Sequence, residues 1–360
     1  MIKKSSRIEY LDSLRGIGAI NVALAHYETF NPLFSNGEKI FKGYVAVSLF
    51  FVLSGYVLSL NLRTNDGFQN FRLGAFIVKR FFRLWVPFAF ALMFSLFCHE
   101  LGKSISLASP PFSHEYVERW TKKIDSVQVK NELLDFYSPN LLAPSWSLKP
   151  ELVNSLILPF AFLILRHSIL WFILSLLLSI YFNILPFAGL HFSLGCLLAF
   201  YDKQIINFVR QTRIALPGMC LLFFLYIIDL KNILIFDTWA IWAVCSFALL
   251  AFVLSSPILQ WILDRRILRF FGITSFGIYL LHWPIMFVSA PFLYNLTSKL
   301  PIFRDSLVYF IGLTYILITI AVSVMFYVFV EKPAIQLGKK IAGLYCNKIS
   351  MLNIIHNVRA

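Results

Sequence analysis

The chain alternates long apolar runs with short polar ones. Ten candidate spans stand out, at about 14–30, 44–62, 83–99, 146–165, 168–184, 187–201, 214–229, 235–254, 270–296 and 306–330. Most have the length an apolar helix needs to cross a hydrocarbon core about 30 Å thick; 187–201 is the shortest. Prolines and glycines interrupt several of them, which membrane helices tolerate when neighbours satisfy the released backbone groups. The one sizeable polar stretch, about 100–145, contains Pro110, Pro111, Pro139 and Pro144. It reads as a folded cap on the outer face, with a short amphipathic helix predicted around Tyr116–Leu134. There is no internal repeat and no low-complexity tract. The pattern predicts an all-α polytopic membrane protein of about ten transmembrane helices. Its membrane domain covers 1–335, with the outer loop at about 100–145, and a basic cytoplasmic tail covers 336–360.

Composition supports a lipid environment over a soluble one. Of the 360 residues, 59% are hydrophobic and only 14% charged, where a soluble domain carries about 25% charged residues. The net charge of +14 does not point to nucleic acid, because the positive residues sit between apolar runs and form no basic stripe. With the N-terminus placed in the cytoplasm, the ten-span arrangement puts 21 of the 32 Lys and Arg, but only 6 of the 18 Asp and Glu, on the inner side. That is the bias of the positive-inside rule, so both termini are expected inside. The opening MIKKSSRIEYLDSLRG is polar for too long to be a secretory signal. The tail reads as an anchor at anionic lipid headgroups. The five cysteines are scattered without CxxC spacing, which gives no metal or disulfide framework.

Ionisable residues inside apolar spans are costly and usually face a partner or a cavity, which makes a short list informative. In the first span Asp12, Arg15, Ala19, Val22 and His26 recur at spacings of 3, 4, 3 and 4, one face of a helix. Eleven residues separate Arg15 from His26, which aligns them within about 20° and about 16 Å apart along the axis. His26 is either a working imidazole or a satisfied histidine buried in the bundle. Lys79, Arg80 and Arg83 precede the third span, with the two arginines three apart and neighbours on a helix. They are either inner-face charge or a bidentate phosphate clamp. Trp146, Ser147 and Glu151 enter the fourth span from outside. Ser275, Tyr279 and His282, in FGITSFGIYLLHWP, form a second polar seam or mark an interfacial kink. HExxH, GxSxG, Walker and GxGxxG motifs are absent, which removes the common soluble protease and nucleotide chemistries.

Several of these stretches fall into a known order. IEYLDSLRGIGAINVALAHY (8–27), FFVLSGYVLSL (50–60), KRFFRLWVP (79–87), PSWSLKPEL (144–152), FGITSFGIYLLHWPI (271–285) and VEKPA (330–334) resemble, in sequence, the signature blocks of membrane acyltransferase family 3. The segment LVNSLILP after Glu151 lacks the Phe-Tyr usual there. No hydrolase-like domain follows the last span, so transfer is expected to be completed by the membrane domain alone or with a separate partner.

The resemblance implies a ten-helix enzyme that takes an acyl group, most often acetyl, from acyl-CoA. The group passes to a sugar hydroxyl in a cell-surface glycan or its lipid-linked precursor, such as O-antigen or exopolysaccharide, at a bacterial plasma membrane. It implies donor handling by Arg15, Arg80 and Arg83 and chemistry at His26. Asp12, Ser54, Trp146, Ser147, Glu151, Tyr279 and His282 are expected to support the site, Asp12 by orienting Arg15. Acetyl-CoA is then a co-substrate, with no resident cofactor or metal and no nucleic-acid partner. His282 remains open as a second base, an acceptor-site residue or a structural hydrogen bond, and the aromatic residues Tyr116, Trp120 and Tyr137 of the outer loop as sugar platforms or interfacial anchors. The rival reading is a transporter or flippase of a lipid-linked sugar with His26 and Glu151 as a proton relay, weakened by the lack of an inverted repeat.

Overall fold

A computed structural model describes residues 8–30, 40–64, 72–104, 123–181, 188–212, 218, 238–297 and 304–344. The described residues are almost wholly helical and contain no strand, only an isolated bridge between Ser138 and Leu142. In chain order the helices are α1 (Glu9–Phe30), α2 (Gly43–Thr64), α3 (Leu73–Ser104), α4 (Ser126–Asp135), α5 (Leu148–His167), α6 (Ile169–Tyr181), α7 (Gly189–Phe200), α8 (Asp202–Thr212), α9 (Thr238–Ser255), α10 (Pro257–Leu263), α11 (Arg266–Thr297) and α12 (Arg304–Phe326). A π-helical turn, Tyr327–Glu331, continues α12 into further helix up to residue 344.

Among the described residues, five helices are long and apolar enough to cross a membrane, or six if the bent pair α9–α10 counts as one span. That is the architecture of a polytopic membrane protein. The bend of 94° falls at Ser256–Pro257, where Pro257 cannot continue the hydrogen-bond ladder of α9 and the Ser256 hydroxyl accepts from the Leu259 N–H. The span expected at 187–201 is shorter than predicted, and that at 168–184 is described only as far as Tyr181. α6 has 13 residues and α7 has 12, about 20 and 18 Å at 1.5 Å per residue. The span expected at 214–229 lies outside the described residues except for Gly218.

α11 is the central helix: 78% of its apolar window is buried, against 28% for the span made of α12 and its extension. On the outside, Phe90, Met93, Phe97, Leu170, Trp171, Leu313 and Phe329 are exposed, as lipid-facing side chains must be. α1 packs along α11 and α2. Its crossing with α11 is backbone on backbone. A Cβ on Gly16 would sit 2.5 Å from the Phe271 carbonyl carbon, and one on Gly272 2.5 Å from that of Asp12. α2 crosses α7 in the same way, through Gly55 and Gly195. Without a hydrophobic force between helices in lipid, such small-residue crossings supply the van der Waals contact.

The outer loop differs from a simple cap. The helix predicted around Tyr116–Leu134 is observed as Ser126–Asp135, with Asp125 accepting from the Gln128 N–H at its N-terminus; residues 116–122 lie outside the described set. After Phe136, in the left-handed region at φ 62°, the chain enters the bundle as irregular backbone and leaves through a 3-10 turn, Ala143–Ser147. Helix side chains hold its carbonyls: Trp283 Nε1 donates to Asn140 O at 3.0 Å and Ser95 Oγ to Leu141 O, while Trp85 Nε1 donates to Leu133 O, in α4, at 3.3 Å. Trp283 lies 14 residues from the C-terminal end of α11, about 21 Å along the axis. Irregular backbone so deep is tolerable only when buried in protein or lining a cavity.

Candidate active site

Four helices converge on the arginines. α3 begins at Leu73, so the Lys79–Arg83 block lies within that helix instead of at its mouth. Its register turns Arg80 inward, 5% exposed, while Lys79 and Arg83 remain exposed. Glu151, in the first turn of α5, meets Arg80 with its Oε1 3.9 Å from Nη1. Ser54, in the middle of α2, donates to the same carboxylate oxygen at 3.3 Å. On α1, Arg15 pairs with Asp12 at 3.1 Å and lies in electrostatic range of Arg83 and Glu151. Arg80 is in range of both other arginines. Three cations therefore share one region with two carboxylates.

Arg80 is not satisfied by this arrangement. A guanidinium carries five N–H donors, and here it has one long ion pair, with Nε lacking any hydrogen-bond partner among the described residues. A buried unsatisfied donor costs about 1–3 kcal/mol, more when charged. Such a deficit suits a site that takes an anionic or polar ligand.

Further along the same face of α1 lies His26. Its Nδ1 is 3.0 Å from Nε2 of His282, with the two rings stacked at 5.1 Å between centroids. Trp283 meets His26 edge-on at 5.3 Å. His26 therefore faces the bundle, and α11 supplies its partners. Tyr315 of α12 places its hydroxyl 3.4 Å from the Ala23 carbonyl and 3.3 Å from that of His282, tying the backbones of α1 and α11 together beside the pair. Tyr279, one turn before His282, donates to Pro144 O at 2.8 Å and lies 2.8 Å from the Ser147 hydroxyl. The penetrating segment is thus fastened to the histidine helix. Between the arginine level and His26, α1 presents Gly18, Ala19 and Val22; a Cβ on Gly18 would meet the Phe50 ring, itself edge-on to Tyr279.

Of the residues singled out from sequence, Arg15, Arg80, Glu151, Ser54 and Asp12 form one group, with Arg83 at its exposed edge, and His26, His282, Tyr279 and Ser147 a second. Trp146 packs edge-on against Trp239 at 5.9 Å. Ser275 returns its hydroxyl to the Gly272 carbonyl at 2.8 Å. Three residues went unremarked in the sequence reading of roles. Trp283 and Tyr315 hold the histidine region. Glu331, buried in the π-helical turn, accepts from the Gly277 backbone, faces Arg83, and keeps one carboxylate oxygen unpartnered among the described residues. A π turn often marks a functional position, and the VEKPA block was the available signal for it.

A polytopic helical bundle with a buried arginine–carboxylate group and an inward-facing histidine pair defines an integral-membrane protein with a polar interior site. The family model described as "Acyltransferase domain" matches residues 8–328, and the chain belongs to that family, membrane acyltransferase family 3. It is 26% identical over 338 residues to the peptidoglycan O-acetyltransferase of Listeria monocytogenes, an alignment covering 81% of this chain and 52% of that protein. The chain thus spans about half the length of this curated relative. No solved structure matches it.

Proposed function

We propose that the protein is a membrane O-acyltransferase. It moves an acetyl group from cytosolic acetyl-CoA to a sugar hydroxyl of a cell-surface glycan or its lipid-linked precursor, in the plasma membrane of a bacterium. Membership of the acyltransferase family supports the reaction class, and the Listeria relative's action on peptidoglycan supports a glycan acceptor. The observation that carries the reading is the placement of Arg15 and His26 on one helix face, with Arg80 and its unspent donor beside the first and His282 beside the second.

Acyl-CoA is cytosolic and polyanionic. Arg15, Arg80 and Arg83 bind its phosphates, the role for which a guanidinium fork is better suited than an ammonium. The span of about 16 Å from Arg15 to His26 along α1 accommodates the extended pantetheine arm, which brings the thioester to the imidazole. A sugar hydroxyl is a poor nucleophile at neutral pH. His26 takes its proton as the oxygen attacks the thioester carbonyl; the C–O bond forms, the C–S bond breaks, and the proton passes from His26 to the leaving sulfur, so CoA departs as the thiol and the imidazole is again neutral. Glu151 and Asp12 hold the arginines in place before the donor arrives, so little reorganisation is needed on binding. The ten-span, N-in and C-in arrangement belongs to this proposal, since it sets the arginines toward the cytosolic donor and the penetrating segment toward the acceptor side.

The test compares surface glycan from cells with and without the gene by mass spectrometry, together with membranes given labelled acetyl-CoA. Acetyl groups missing from the glycan of the deletion strain, and label consumed only by membranes holding the protein, are the expected results. A glycan of unchanged acetylation that fails to reach the surface would favour the transporter.

A further inference from the structure

We infer that His282 is a positioning residue that fixes the tautomer of His26, placing the basic lone pair of that imidazole on Nε2; this rests on the reading of His26 as the proton acceptor. His282 is fully buried, and its Nδ1 lies 3.1 Å from the carbonyl oxygen of Ile278, one turn earlier in α11. A carbonyl oxygen only accepts, so Nδ1 of His282 carries the hydrogen. The opposite tautomer would set two lone pairs against each other at 3.1 Å, too close for a water molecule to separate them. Neutral His282 then has a bare Nε2, and that atom faces Nδ1 of His26 at 3.0 Å. The only bond this geometry allows runs from His26 Nδ1–H to His282 Nε2.

The basic lone pair of His26 is therefore on Nε2, the ring edge pointing away from His282. Free histidine in water prefers the reverse, with hydrogen on Nε2, so the protein imposes the less favoured form. The same contact serves both protonation states. When His26 gains a proton its Nδ1–H still donates to His282, and no atom has to move during transfer. The ring orientation is held from other sides by Trp283, edge-on to His26, and by Tyr315, which bridges the two helix backbones. His282 is thus the orienting third member, after hydroxyl and base, found wherever a histidine must act in one tautomer.

The experiment uses full-length protein in lipid nanodiscs labelled with 15N-histidine. The chain has seven histidines, and His26→Gln identifies the His26 signals by their loss. In wild type, His26 Nε2 is expected at a pyridine-type 15N shift and Nδ1 at a pyrrole-type shift. His282→Leu removes the acceptor, and the His26 tautomers should mix or invert. His282→Gln sets an amide oxygen near the former Nε2 and should retain hydrogen on His26 Nδ1. Turnover should follow: His282→Leu loses about 10- to 100-fold in kcat, as when the partner of a working imidazole is removed, with KM for acetyl-CoA within about twofold, and His282→Gln recovers part of the loss. Hydrogen on His26 Nε2 in wild type, or the same tautomer in wild type and His282→Leu, would overturn the inference. Full turnover by His26→Gln would instead overturn the reading of His26 as the proton acceptor, so the two failures are distinct.

Discussion

Arg80 and His26 show how far a side chain's identity and spacing reveal its environment. Arg80 sits in a basic run that reads from spacing as either inner-face charge or a phosphate clamp, and the register of α3 buries it beside Glu151 while Arg83 stays exposed. If its fork grips phosphate, Arg80→Lys should raise KM for acetyl-CoA about tenfold, with kcat changing far less, because an ammonium replaces a bidentate group with a point charge; steady-state kinetics in nanodiscs read this directly. Glu151→Gln should act mainly on stability. It leaves a buried cation without its counter-charge, a loss of about 3–5 kcal/mol for a tight pair. At 3.9 Å the effect should be smaller but visible as a lower unfolding temperature. The alignment of Arg15 with His26 was legible because it needs only one helix and its period. The pairing of His26 with His282 was not, since 256 residues separate them and no local pattern encodes which helices cross.

At the scale of elements, the α1–α11 crossing decides whether the two histidines meet. Gly272→Ala should push the helices apart where a Cβ has no room, costing about 1–3 kcal/mol as overpacking does, and should lower kcat as well because His26 and His282 lie on these two helices. Gly195→Ala, at the α2–α7 crossing, should destabilise to a similar degree with less effect on kcat. Unfolding temperature and turnover measured on both variants separate the two crossings. Helix existence was readable from apolar runs, and most predicted spans coincide with helices. The early start of α3 was not, because Lys79, Arg80 and Arg83, inside the helix, read as charge that precedes the span. Nor was the descent of 136–147 into the bundle, since Pro139 and Pro144 signal a break in regular structure without saying where the broken chain goes.

For the molecule as a whole, charge asymmetry is the strongest topological signal in the sequence, and it predicts both termini inside. Single cysteines on a cysteine-free background test it: Lys130→Cys in α4 should react with an impermeant maleimide on intact cells, and Lys203→Cys in α8 only after permeabilisation. Labelling of Lys203→Cys on intact cells, with Lys130→Cys reacting only after permeabilisation, would reverse the orientation and set the arginines away from the cytosolic donor. The family was legible in the order of six short blocks, and the structure adds the convergence of those blocks on two neighbouring groups of side chains. The most direct measurement of the central claim is transfer from radiolabelled acetyl-CoA by wild-type and His26→Gln protein, purified, reconstituted and supplied with the same glycan acceptor. General base catalysis accounts for about 10²- to 10⁴-fold, so label should enter the glycan with wild type and fall by at least about 100-fold with the variant. Equal incorporation by the two proteins would contradict the account.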